Sequence, residues 1–154
     1  MLKKKLNNYK ILRLIDANSN RLREGLRVVE DILRFILDDE KLTAKLKIFR
    51  HKLTRTLNKA TIIKSLKALN HRQINKDVGK KTIKSENIRF NVKDIFMANA
   101  QRIKESTRVL EEFFKLYNLT IAEDLKKLRY NFYDLEQKII TKILDSGKTK
   151  KSKL

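Results

Sequence analysis

Apolar residues between Tyr9 and about Leu37 recur every three or four positions, the spacing of one face of an α-helix. Leu22, Leu26, Val29, Leu33 and Ile36 make up the stripe. The acidic run Asp38-Asp39-Glu40 breaks the period. A second helix is expected from Lys41 to about Asn58, with Asp38 or Asp39 as its N-cap. Thr61 to Leu69 is short and apolar and can form a third. From Asn70 to Asn91 the pattern fails around Gly79, and the stretch reads as a loop. A loop of that length in a compact domain is more often functional than idle. The helical period returns from Val92 to Tyr117, with Asn91 placed to cap it. Thr120 and Glu123 have capping-box spacing and predict a last helix to about Leu144. Ser146 to Leu154 reads as a disordered basic tail.

The helices are written twice. At an offset of 81, Ala17, Asn18, Arg21, Glu24, Arg27, Val28 and Glu30 recur as Ala98, Asn99, Arg102, Glu105, Arg108, Val109 and Glu111. Most of these matches are polar, so more than packing is repeated. "LKIFRH" (46–51) is answered by "LKKLRY" (125–130), which pairs Arg50 with Arg129 at an offset of 79. The unit is a helical hairpin, about 9–58 and again 92–144, with the loop between. The expected fold is all-α, a bundle of four to five helices in one domain over residues 1–145, with pseudo-two-fold symmetry.

With Arg21 at zero and about 100° per residue, the apolar stripe lies at roughly 60–140°. Asn18 falls inside that arc, Arg21 at its edge and Gly25 beside them. Asn99, Arg102 and Ser106 interrupt the second stripe in the same way. Placing an Asn and an Arg against an apolar face is costly unless partners are supplied. One reading is an internal network, in which the Asn residues cap or bridge helices and the Arg residues pair with Glu24 or Glu105. The other is a site for an anionic ligand. Arg27, Glu30, Arg108 and Glu111 fall on the solvent side, where i,i+3 ion pairs contribute a few tenths of a kcal/mol each. In the loop, Arg72, Lys80, Lys81 and Arg89 surround Asp77-Val78-Gly79 and suit a cationic lid.

Composition narrows the picture. There is no Pro, Cys or Trp and there are 3 Gly, which favours long helices and excludes disulfides and thiol chemistry. No long apolar run follows the charged first residues, so no signal peptide or membrane span is expected and the cytoplasm is the expected compartment. A net charge of +20 permits polyanion binding. The lysines are dispersed, though, and no aromatics interleave a basic face, so nucleic acid is disfavoured. Phosphate-loop and zinc-protease motifs are absent.

"IDANSNRLREGLRVVEDILRF", "FRH", "DVG", "ANAQRIKESTRVLEEFFK" and "LRYNFYDLE", from about Leu14 to Glu136, resemble one small all-helical family. That family is often fused to the N-terminus of thiamine-phosphate synthase and also exists alone, as an alternative hydroxymethylpyrimidine phosphate kinase. Gln73, where an acidic residue is expected, and Lys80, where Thr is expected, depart from its pattern. The resemblance implies ATP-dependent phosphorylation of 4-amino-5-hydroxymethyl-2-methylpyrimidine phosphate to the diphosphate. It implies Arg21, Arg102, Glu24 and Glu105 as catalytic groups, and Asn18, Asn99, Arg50, Arg129, Arg72 and Arg89 as substrate-binding. Glu24, Glu105 and Asp77 are then candidate ligands for Mg²⁺. A (β/α)₈ synthase domain needs about 250 residues, so the synthase reaction itself is not expected of this chain. A non-catalytic partner of thiamine-phosphate synthase is the competing reading, and a basic nucleic-acid-binding bundle comes third. Whether a homodimer completes the site stays open.

Overall fold

The computed structural model describes residues 2–60 and 88–151, with side chains over 9–60 and 88–147. The expected helix at 61–69 and the loop up to residue 87, with Arg72, Asp77 and Lys80, lie outside the described residues. Among the described residues there are four α-helices: α1 (Leu2–Asp31), α2 (Glu40–Asn58), α3 (Val92–Phe114) and α4 (Leu119–Lys151). No strand occurs among the described residues. The helix α1 packs on α3, α3 on α4, α4 on α2 and α2 on α1, which closes a four-helix ring.

Local rules account for most helix ends. Asp39 accepts from Leu42 N–H at 2.9 Å and Asn91 accepts from Asp94 N–H at 2.9 Å. The expected Thr120 capping box does not form. Helix α4 begins earlier, and Asn118 Oδ1 caps it by accepting from Ile121 N–H at 3.1 Å. α1 also starts earlier than expected, at Leu2, and ends in a π-helical turn over Ile32–Ile36. That wider turn rotates Ile36 off the apolar stripe, leaving it 54% exposed instead of in the core. Asp38 follows at φ 47°, a left-handed residue that lets Asp39 N–H reach Leu33 O at 3.0 Å. Helix α4 continues through Lys151, past Ser146 where a tail was expected, since no proline stops it.

Burial repeats with the sequence. At an offset of 81, Ile15, Leu22, Leu26, Val29 and Leu33 are buried, and so are Phe96, Ile103, Thr107, Leu110 and Phe114. At 79, Leu42, Leu46, Phe49, Leu53 and Ala60 are matched by buried Ile121, Leu125, Leu128, Phe132 and Ile139. The rings of Phe49 and Phe132, 5.6 Å apart, join α2 to α4. Two hairpins therefore share one apolar core by burying equivalent positions.

Candidate functional site

The two repeat helices α1 and α3 pack on each other, with Asn99 at their contact. A Cβ on Gly25 would lie 3.0 Å from Ile103 Cγ1 and 3.2 Å from Asn99 O, so the two repeat helices approach closely there. Asn18, buried, donates its amide back to Leu14 O at 3.0 Å. Asn99, half-buried, donates to Ile95 O at 2.8 Å. In these bonds each amide serves its own helix; neither is a helix cap.

Arg21, Glu24, Arg102 and Glu105 are exposed. Arg21, Glu24 and Arg102 make no hydrogen bond or ion pair among the described residues. Glu105 accepts from Gln101 Nε2 at 2.7 Å, a neighbour on its own helix. The expected pairing of Arg21 with Glu24 and of Arg102 with Glu105 is not formed.

The fold's ion network lies elsewhere, and it corrects the solvent-side placement of Glu30 and Glu111. Both are buried, at 2% exposure. Arg27 Nη1 lies 3.5 Å and Arg50 Nε 3.2 Å from Glu30 Oε2. Arg108 Nη1 lies 2.6 Å from Glu111 Oε1, and Arg129 Nε donates to Glu111 Oε2 at 3.0 Å. A single-helix projection puts Glu30 at about 180°, just past the apolar arc. In the bundle the second helix of each hairpin covers that side. Arg50 and Arg129, expected to bind substrate, thus each hold a buried carboxylate. Burial pulls the Arg129 guanidinium towards the neutral form, but its bonds to Tyr133 and Glu111 outweigh that and raise its pKa above the ordinary arginine value.

A surface cleft of about 510 Å³ between α3 and α4 brings Glu105 and Arg129 together with Lys104, Arg108 and Tyr133. Tyr133 accepts from Arg129 Nη1 at 2.8 Å, and Lys104 Nζ lies 2.8 Å from Glu136 Oε1. Lys104 and Tyr133 were not singled out from sequence; the signal was present, because Tyr133 stands one turn after Arg129 in the second repeat. Arg89 does not join the cleft, and donates instead to its neighbour Ile88 O at 2.7 Å. Among the described residues no group of three or more His, Cys, Asp or Glu could hold a metal ion. Glu24 and Glu105 can each offer one carboxylate, a sparse set that fits a Mg²⁺ held mostly by phosphate oxygens and water. No helix among the described residues is long and apolar enough to cross a membrane.

Relatives place this geometry in a family. A protein called thiamine-phosphate synthase from Nostoc punctiforme is 36% identical over 131 residues, covering 84% of this chain and 35% of that protein. One of the same name from Prochlorococcus marinus subsp. pastoris is 35% identical over 138 residues, covering 85% and 36%. One from Synechocystis sp. is 37% identical over 131 residues, covering 84% and 36%. The chain thus spans about a third of the length of these curated relatives. No solved structure matches it. The model of the ThiD2 family matches residues 13–138, a stretch that holds both copies of the repeated motif, and the chain belongs to that family.

Proposed function

We propose that this protein works in thiamine biosynthesis as a kinase, moving the γ-phosphoryl group of ATP onto 4-amino-5-hydroxymethyl-2-methylpyrimidine phosphate. An oxygen of the acceptor phosphate bonds to the γ-phosphorus, the bond to the ADP oxygen breaks, and the pyrimidine diphosphate and ADP leave. The acceptor oxygen is already ionised at neutral pH, so no strong general base is needed. Neutralising and aligning two polyanions is the main task.

The observation that carries this reading is the split among the repeated polar residues. The fold uses Glu30, Glu111, Arg50 and Arg129, whereas Arg21, Glu24 and Arg102 are duplicated without a partner among the described residues. Duplicated charges that the core does not need point to a ligand. Arg21 and Arg102 suit the phosphate clamp, because a guanidinium grips two oxygens in one plane. Mg²⁺, when bound, would supply charge neutralisation on the ATP oxygens, with Glu24 and Glu105 as its candidate protein ligands. Asn18 and Asn99 can offer the aminopyrimidine edge an amide acceptor.

The test is diphosphate formation by the purified protein with ATP and Mg²⁺, run on the pyrimidine alcohol and its monophosphate side by side. Turnover of the monophosphate is expected. A second reading, a non-catalytic partner that delivers substrate to thiamine-phosphate synthase, is favoured by the relatives' holding the matched region within a longer chain of that name. A stoichiometric complex with the synthase and no ATP turnover would select it.

A further inference from the structure

Across the bundle from the α1–α3 seam, α2 and α4 enclose a groove of about 400 Å³. Lys52, Arg55, Lys59 and Lys127 line it, with Asp124 as its one acidic side chain. Lys59 pairs with Asp124 at 3.1 Å. The side chains of Lys52, Arg55 and Lys127 have no hydrogen bond or ion pair among the described residues.

The duplication supplies an internal control for these charges. A second groove of about 290 Å³ on the same seam is lined by Lys45, Ile48, Phe49, Lys52, Asn131, Asp134 and Leu135. At the offset of 79 those are the counterparts of Asp124, Lys127, Leu128, Asn131, Lys52, Arg55 and Thr56 in the first groove. The apolar floor is kept, with Leu128 answered by Phe49, but Arg55 is answered by Asp134 and Lys127 by Ile48. Equivalent packing thus forms without a cation at the Arg55 and Lys127 positions, although Lys45 and Lys52 still line the second groove. The fold does not require Arg55 or Lys127, and gathering like charges in one groove opposes folding.

We propose that the α2–α4 groove is a binding site for a chain of two or three linked phosphates. Lys52 and Arg55 on α2 and Lys59 at its C-cap, still in helical conformation, stand at i, i+3 and i+7, a ladder about 10 Å long at 1.5 Å per residue. That exceeds what one phosphate can bridge and suits a di- or triphosphate, with Lys127 closing from α4. Asn131 and Thr56 add polar groups at the groove wall. The site is separate from the kinase reading of the α1–α3 seam and does not depend on it.

Calorimetric titration of the full chain with sodium tripolyphosphate, without metal or turnover, tests the proposal. The variant Arg55→Asp/Lys127→Ile installs the residues that the second groove already carries, and should bind about tenfold more weakly or worse. Lys41→Glu/Lys93→Gln makes the same change in charge at exposed positions outside the groove, and should bind as the parent does. Helicity by circular dichroism checks folding, and Arg55→Gln, expected to weaken binding several-fold, serves if the double variant unfolds. A parallel titration with ATP separates the sources. Equal affinity for ATP and tripolyphosphate assigns the groove to the phosphate chain alone, whereas tighter ATP binding that the groove variant abolishes assigns it to a nucleotide. No binding by the parent, equal binding by the groove variants, or equal loss in the Lys41/Lys93 control would overturn the proposal. None of these results bears on diphosphate formation at the other seam.

Discussion

The two hairpins are built on one pattern, yet the second is tied together more tightly. Each buries a glutamate beneath two arginines. Arg129 is 13% exposed and hydrogen-bonds both Glu111 and Tyr133, whereas Arg50 is 22% exposed and its Nε–H is not aimed at Glu30 as a hydrogen bond. Thr54 stands where the second hairpin has Tyr133, and bonds its own helix at Arg50 O. Lys104 reaches Glu136 across the second hairpin, while their counterparts Arg23 and Leu57 cannot pair. Arg108 also reaches Glu112 at 2.7 Å. The buried glutamates and their arginines are shared by both halves, whereas Tyr133 and the Lys104–Glu136 pair belong to the second alone.

The sharpest way to break this comparison is to remove each bridging arginine. Arg129→Met should destabilise the protein by about 3 kcal/mol, because it strips the better-placed partner from a buried carboxylate. Arg50→Met should cost clearly less, about 1–2 kcal/mol, since its ion pair is poorly aligned. Equal losses in urea denaturation would mean that the two networks are equivalent despite their geometry.

Next comes the close α1–α3 contact, where Gly25 faces Ile103 and Asn99 and its counterpart is Ser106. Gly25→Val should destabilise by about 2–3 kcal/mol, because Ile103 can shift but the Asn99 carbonyl cannot. Ser106→Gly should cost about 1 kcal/mol or less, mostly through helix propensity. Thermal unfolding of both variants would show whether the seam is tight on one side only.

The unpartnered arginines sharpen the comparison through activity. Arg21→Lys and Arg102→Lys should each reduce kcat/KM for diphosphate formation about tenfold, or 1.4 kcal/mol of transition-state binding, with stability unchanged. A much larger loss in one than the other would tell which repeat holds the transferring phosphoryl group. Unfolding without a kinetic effect would place both residues in the scaffold.

The smallest expected difference concerns the hairpin turns, where Asp39 caps α2 and its counterpart Asn118 caps α4. The Leu42 N–H bond chiefly holds the Asp39 carboxyl below its ordinary pKa, against the opposing effect of burial, with help from Lys142. A depressed folded pKa means that the ionised cap adds stability above the ordinary aspartate range and loses it as pH falls through the lowered value. Asp39→Ala should cost about 1 kcal/mol at neutral pH. Asp39→Asn should keep the cap and remove that part of the acid sensitivity, which denaturation across a pH series would detect.

Much of the scaffold was legible from residues close together in the chain. Helical periodicity, the Asp39 and Asn91 caps and the duplicated motifs all depend on neighbours a few positions apart. The sequence also marked Asn18, Arg21, Glu24 and their repeats as a set, though not how that set divides. The first helix's end was misread at Ile36, because a π turn shifts the register that a uniform period assumes. The cap of α4 was misassigned because Thr120 and Asn118 both satisfy local rules, and the helix starts early enough to use Asn118.

The sequence by itself thus determined the all-helical class, the hairpin repeat and the residues that repeat, since each follows from local geometry and self-comparison. Only the tertiary structure decided that Glu30 and Glu111 are buried. Their surroundings are set by Arg50 and Arg129 on another helix, and no single-helix projection contains that helix. It likewise decided that Arg21, Glu24 and Arg102 are left without partners among the described residues, and that Lys52, Arg55 and Lys127 meet in one groove. A charge's solvation and its partners depend on which helices close around it, and that is fixed only when the apolar faces of all four helices pack together.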